Sequence, residues 1–200
     1  VVIGVLGHRA WSAVGLPDVP NNVIVLAVFA LEAVLLVPAW LFGPRKYGGG
    51  WRILGLRGFP AGTGVAVLVI GFGLILAINA LWTPLMRGWD LPEQPDVLPL
   101  FGGGVGGLLL ALVAGGVIAP VAEEVLFRGF LYGGLRSRWG VFWGLVVSSA
   151  IFAVIHGFGG VIPPIFVMGI ILALAYELTG SIWPPILLHS AVNSLSFIVT

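Results

Sequence analysis

Apolar residues in this chain fall into blocks of roughly twenty, separated by shorter polar stretches. A membrane-spanning helix needs about 20 mostly apolar residues, and six blocks approach that length: 22–42, 61–82, 101–135, 141–156, 163–178 and 183–200. The pattern predicts a polytopic all-α transmembrane helical bundle of about six spans. Residues 1–7 are apolar but too short, and fit the stump of an upstream helix. Residues 8–21 are polar and contain proline, hence a loop. Pro120 interrupts the long third block, the glycines of 157–160 break the chain after the fourth, and Pro184-Pro185 opens the sixth.

Composition agrees. The 200 residues are 59% hydrophobic and 8% charged, with a mean hydropathy of +1.12. A soluble domain carries about a quarter charged residues. The ten-residue alternating segments of a membrane β-barrel are absent. Net charge is +1, which makes no case for nucleic acid; the partner that composition implies is the lipid bilayer. With no cysteine, disulfides, thiolate metal sites and a cysteine nucleophile are excluded. The start shows no signal-peptide pattern. The chain reads as one domain over residues 1–200, with a motif-bearing core at about 101–200.

Charge also orients the bundle. Residues 43–60 carry Arg45, Lys46, Arg52 and Arg57 with no acid, and Arg136 and Arg138 follow the third block. Alternating helices put these two loops on one side, cytoplasmic by the positive-inside tendency. The loop 83–100, with Asp90, Glu93 and Asp96 against Arg87, then lies outside.

Within the apolar blocks, Glu123, Glu124 and Arg128 stand out, because a charge facing lipid costs several kcal/mol. Residues four apart share a helix face, so Glu124 and Arg128 can pair along their own helix. Glu123 is rotated by about 100° from Glu124 and has no cation on its helix. Burial without a partner favours the protonated form of a carboxylate, which suits a general base near neutral pH. Glu124 and Arg128 therefore read as structure and Glu123 as chemistry; the plainer reading is one structural ion network. His156 lies one turn after Phe152, and Asn193 one turn after His189. His189 and Asn193 could hold a carbonyl oxygen as charge builds on it, or could be interhelical glue. Each motif alone is weak, but three on separate helices are hard to read as unrelated.

Together, Glu123-Glu124-x-x-x-Arg128, Phe152-x-x-x-His156 and His189-x-x-x-Asn193 resemble the signature motifs of the CAAX protease and bacteriocin-processing (CPBP) family of intramembrane endopeptidases, which includes the type II CAAX prenyl endopeptidase. Trp51-Arg-Ile-Leu-Gly-Leu-Arg57 resembles a weaker family feature, and the likeness covers about residues 45–195. It implies hydrolysis of a peptide bond in a membrane-associated or lipidated (CAAX-type) substrate, with a protein or peptide substrate at the membrane as the expected partner. Glu123 and His156 would activate water, His189 and Asn193 would stabilise the oxyanion, and Glu124, Arg128 and Phe152 would brace the site. Two versions of the chemistry stay open: zinc held by Glu123, His156 and His189, as in a metallopeptidase, or a metal-free, glutamate-dependent hydrolase. A proton-coupled transporter and a non-enzymatic scaffold or immunity protein are the competing classes. The chain shows no inverted repeat of the kind many transporters carry.

Depth along the helices raises a difficulty. At about 1.5 Å per residue, Glu123 lies some 20 Å from Arg136, His156 about 25 Å from Trp139, and His189 only about 12 Å from Ser181. The three meet only if helices tilt, break or project, and the prolines supply places for that. Elsewhere, Glu32 would pair with a polar group such as Asn79 or line a cavity, Glu177 would reach the interface, and His8 would be solvated. Gly102, Gly103, Gly106 and Gly107, and Gly129 with Gly133, form small-residue pairs expected to pack helices. Trp11, Trp40, Trp51, Trp82, Trp89, Trp139, Trp143 and Trp183 fall near span ends, as an aromatic belt would.

Overall fold

The structure, a computed structural model, describes residues 21–92, 96–156 and 159–199; the expectations for residues 1–20, including His8 and Trp11, lie outside these. Among the described residues there is no strand. Helix α1 is Asn21–Phe42. A single turn (Pro44–Tyr47) and a 3-10 turn (Gly50–Leu54) follow, and then α2, Ala61–Gly88. After the turn Leu98–Phe101, helix continues from Gly104 to His156 and breaks at Gly140 (φ 80, ψ 175). That break divides α3 (104–139) from α4 (141–156). The bundle closes with α5, Ile162–Thr179, and α6, Trp183–Val199.

Among the described residues, four stretches are long and apolar enough to cross a membrane: Val25–Tyr47, Ala61–Gly88, Gly104–His156 and Gly159–Thr179. The third, at 53 residues, holds two helices folded back on each other. A Cβ on Gly144 would lie 3.1 Å from the Cα of Arg136, and the rings of Phe127 and Phe152 are 5.0 Å apart. Reversal requires a positive φ, which glycine adopts at little cost. Helix α6 has 17 residues and falls just short of a full span. The chain is an integral, multi-pass membrane protein, with six principal helices among the described residues.

Pro120 does not interrupt α3. Two wider, π-type stretches flank it, Ala114–Ile118 and Val125–Tyr132. A proline ring in an α-helix clashes with the carbonyl four residues back and removes a donor. A widened turn just upstream relieves the clash and lets helix continue. Helix α2 also runs six residues past its apolar block, through Pro84 to Gly88, and ends where Trp89 donates its N–H to the Leu85 carbonyl. Loss of hydropathy marked where the apolar block stops rather than where the helix does.

The basic loop is fastened to the turn between α5 and α6. Arg57 donates through Nε to the Gly180 carbonyl, Ser181 donates to the Arg57 carbonyl, and Ile182 N–H donates to Gly55 at 2.9 Å. Ser181, Ile182, Pro184 and Pro185 are consequently buried. Helix α6 therefore starts beneath the Gly50–Arg57 segment instead of at the surface of the molecule. This removes the depth difficulty for His189 and gives the Trp51–Arg57 stretch a structural task.

Close approach between helices rests on a few small residues. A Cβ at Gly169 of α5 would come within 2.9 Å of the Ser149 Cβ on α4, and one at Gly129 within 2.8 Å of the Leu54 carbonyl oxygen. Gly103 and Gly106 face open space, so the expected packing role does not extend to them. Trp40, Trp51, Trp89, Trp139, Trp143 and Trp183 are exposed near helix ends, as an aromatic belt requires.

Candidate active site

Three helices bring the polar residues of the motifs together. Gly140 lies 17 residues after Glu123 and 16 before His156, so the reversal sets those two side chains at one level. His156 Nε2 lies 3.1 Å from Glu123 Oε2. From α6, His189 Nε2 stands 3.7 Å from the same oxygen. Glu123 thus has two imidazole neighbours from other helices, although its own helix supplies no cation.

Each histidine is held through its other nitrogen. His156 Nδ1 lies 2.8 Å from the Phe152 carbonyl oxygen one turn back. A carbonyl only accepts, so Nδ1 carries the hydrogen and Nε2 is left for Glu123. His189 Nδ1 lies 2.8 Å from Glu124 Oε1. That oxygen already accepts from Arg128 Nη1 at 2.6 Å, so His189 also donates through Nδ1. Both Nε2 atoms therefore face a carboxylate oxygen, and two bare acceptors cannot hydrogen-bond. One proton must lie between Glu123 and His156. The charge count agrees: two carboxylates against one guanidinium leave a single negative charge in a buried cluster, and that proton cancels it. A buried cluster is tolerable only when its charges are matched and hydrogen-bonded.

Phe152 is the hub of this packing. Its ring lies 4.2 Å from the Arg128 guanidinium, 4.2 Å from the His156 ring and 5.8 Å from the His189 ring. Arg128 is fully enclosed, with Nη2 also donating to the Gly169 carbonyl at 3.3 Å. The expected pairing of Glu124 with Arg128 is present, extended by His189 into a three-residue chain.

Asn193 occupies a different position from the one expected of a free donor. Its amide nitrogen donates to the Gly115 carbonyl at 3.0 Å. In the widened turn Ala119 N–H reaches back to Ala114, and Pro120 has no N–H to give. Gly115 would otherwise lack a donor, so Asn193 fills a gap that Pro120 creates. One amide hydrogen of Asn193 remains for another acceptor.

A cavity of about 210 Å³ opens over these groups. Glu123, His156, His189 and Asn193 line its polar side, while Ile165, Met168, Val192 and Phe197 supply an apolar wall. Asn79 of α2 also faces it. Sequence reasoning treated Asn79 only as a possible neighbour of Glu32; a lone amide in an apolar span was the available signal. Its Nδ2 donates to Ile75 of its own helix at 2.9 Å. Glu32 is buried in α1 and lines a separate, apolar cavity with Phe29, Val121 and Ala122. Glu177 is clamped by Arg136 at 2.6 and 2.7 Å and by the Tyr132 hydroxyl at 2.7 Å. Among the described residues no three His, Asp or Glu side chains are placed to hold a metal ion.

Motifs on this geometry define a membrane-embedded, carboxylate–histidine class of protein. Residues 105–195 match the family described as type II CAAX prenyl endopeptidase Rce1-like. The chain is similar to "Putative membrane peptidase YdiL" of Bacillus subtilis, at 29% identity over 45% of this chain and 37% of that protein. It is 26% identical to an uncharacterised 24.3 kDa protein of Escherichia coli, over 86% of this chain and 74% of that one. It is 28% identical to the membrane-embedded CAAX protease MroQ of Staphylococcus aureus, over 75% of this chain and 57% of that protein. The chain thus spans little more than a third of the first of these relatives and over half of the last. No solved structure matches it significantly.

Proposed function

We propose that the chain is an intramembrane endopeptidase that hydrolyses a peptide bond of a membrane-associated polypeptide by side-chain activation of water. The observation that carries this reading is the convergence of Glu123 Oε2, His156 Nε2 and His189 Nε2 at 3.1 and 3.7 Å in a cavity. The family match over residues 105–195 and the names of two relatives support the same class.

In the proposed reaction, water sits against Glu123 and His156. Its oxygen attacks the scissile carbonyl carbon, and its proton passes to the Glu123–His156 pair. His189, whose Nδ1–H is committed to Glu124, becomes a donor to the resulting oxyanion when its Nε2 takes up the water proton from the Glu123–His156 pair, which recovers that proton as the intermediate collapses. The remaining Asn193 N–H is the second donor. Preorganised donors aimed at a developing oxyanion are worth most in a dry site. Collapse of the tetrahedral intermediate breaks the C–N bond, and the pair returns its proton to the leaving amine. Glu124, Arg128 and Phe152 touch no reacting atom; they fix the orientation of the two imidazoles. Zinc is the alternative source of activated water: Glu123, His156 and His189 would hold it, and it would supply the acidified water.

The test uses the purified full chain in proteoliposomes and a peptide library read by mass spectrometry. Glu123→Gln, His156→Ala and His189→Ala should each reduce cleavage by about a hundredfold or more, the scale of lost acid–base catalysis, with insertion unchanged. Full activity in all three variants would end the assignment. Elemental analysis runs beside it: one zinc per wild-type chain, lost in Glu123→Gln, would replace the metal-free route.

A further inference from the structure

We infer that the cavity is served from the extracytoplasmic face, so the substrate is a polypeptide presented on that side of the membrane, with apolar residues beside the scissile bond. This rests on the endopeptidase reading and specifies its substrate class.

The two ends of the bundle differ in charge. Contacts of Arg57, Ser181 and Ile182 place the 43–60 loop and the turn between α5 and α6 at one end. The Arg136–Glu177 pair adds the Gly140 reversal to that end. It gathers Arg45, Lys46, Arg52, Arg57, Arg136 and Arg138, six of the nine basic residues of the chain. The other end holds the loop after α2, the α4–α5 connection and the last turn of α6; its described charges are Arg87, Asp90 and Asp96. A loop excess of Lys and Arg faces the cytoplasm.

The cavity belongs to the second end. Its lining includes Val97 of the loop after α2, His156 at the last position of α4, Pro164 in the first turn of α5, and Ser196 in the last turn of α6. Exposure rises that way: the His156 side chain is 19% accessible and Ser196 is exposed. Toward the basic end the floor is closed, with Glu124, Arg128, Tyr132, Leu172 and Ile182 all at 2% exposure or less. Among the described residues, the open side of the cavity for water and substrate therefore lies opposite the basic loops. A lipidated C-terminus held at the cytoplasmic leaflet does not reach this mouth. An exported or membrane-anchored chain whose cleavage site lies on the outer side does, and the Ile165, Met168, Val192 and Phe197 wall fits apolar side chains there.

The chain has no cysteine, so single introduced thiols report cleanly. Ser196→Cys at the mouth, Trp89→Cys in the adjoining loop and Arg52→Cys at the basic end are each treated with a membrane-impermeant maleimide. Reaction requires a water-exposed thiolate. Cys at 196 and 89 should label in intact cells, and Cys at 52 only after permeabilisation. Labelling of 52 in intact cells, or failure of both 196 and 89 there, overturns the orientation; labelling of 89 but not 196 overturns the open mouth. In proteoliposomes, a bulky maleimide at 196 should suppress cleavage of the peptide library, whereas one at 52 should not; unchanged cleavage after complete reaction at 196 overturns the entry route. Labelling repeated in Glu123→Gln is independent of hydrolysis, so failure of the peptidase reading and failure of the outward mouth give different results.

Discussion

Asn193 shows how a single amide can serve both structure and chemistry. Removing it strands a buried carbonyl at Gly115 and deletes a proposed oxyanion donor together. Asn193→Ala should therefore lower stability by about 1–3 kcal/mol, the range for an unsatisfied buried polar group, and lower kcat with little change in KM. Pro120→Ala supplies an N–H within reach of Gly115. In that background the stability loss on Asn193→Ala should shrink, while the loss of kcat stays; thermal melts in detergent and steady-state kinetics separate the two. Arg128 gives a second prediction. Arg128→Met leaves the buried Glu124 carboxylate without its guanidinium, a change of roughly 3–5 kcal/mol for broken buried pairs. Adding Glu124→Gln should recover part of it, measured by a double-mutant cycle of melting curves. At this scale the sequence told much: Glu123, His156, His189 and Asn193 all line one cavity, and the spacing of Glu124 and Arg128 foretold their pair. It did not tell which nitrogen of each histidine is occupied, because the Phe152 carbonyl and the Glu124 carboxylate select those atoms only once helices pack. Asn79 was missed for a similar reason: one amide in an apolar span has no periodic partner to mark it.

Among the elements, the helical hairpin about Gly140 is the part on which registration depends. Gly140→Ala places a Cβ at φ 80 and should cost about 1–2 kcal/mol, the penalty of a left-handed conformation for an L-residue. Gly169→Ala should cost about 1–3 kcal/mol by overpacking against Ser149, and Ser149→Gly should restore part of it. Differential scanning fluorimetry of the four proteins, singles and double, checks the pairing of α4 with α5. The helices themselves were legible from hydropathy, since a twenty-residue apolar run in lipid has little choice but to satisfy its backbone internally. Pro120 was the misleading sign. Its cost in a regular helix is real, but the widened turn of Ala114–Ile118 absorbs it, and nothing in composition announces a π-type turn. The shallow depth computed for His189 misled in the same way, since burial of the α6 start beneath Gly50–Arg57 depends on hydrogen bonds between segments about 125 residues apart.

For the molecule as a whole, the charged end and the end bearing the candidate site are separate. The Arg136–Glu177–Tyr132 clamp fastens α3 to α5 near the basic face, and Glu177→Gln should change stability by no more than about 1 kcal/mol, as for exposed ion pairs, without altering cleavage. A larger effect on turnover would mean that the clamp communicates with the cavity. The reversal at Gly140 has a further result for how the candidate site comes into being. Glu123 and His156 are contributed by one continuous hairpin of 34 residues, whereas His189 lies another 33 residues along. On the proposed mechanism, the water-activating pair emerges first during synthesis, and the proposed oxyanion donor arrives only with the docking of α6. A nascent endopeptidase of this kind would carry half a hydrolytic centre through most of its insertion, and would gain the power to cut only as its bundle closes.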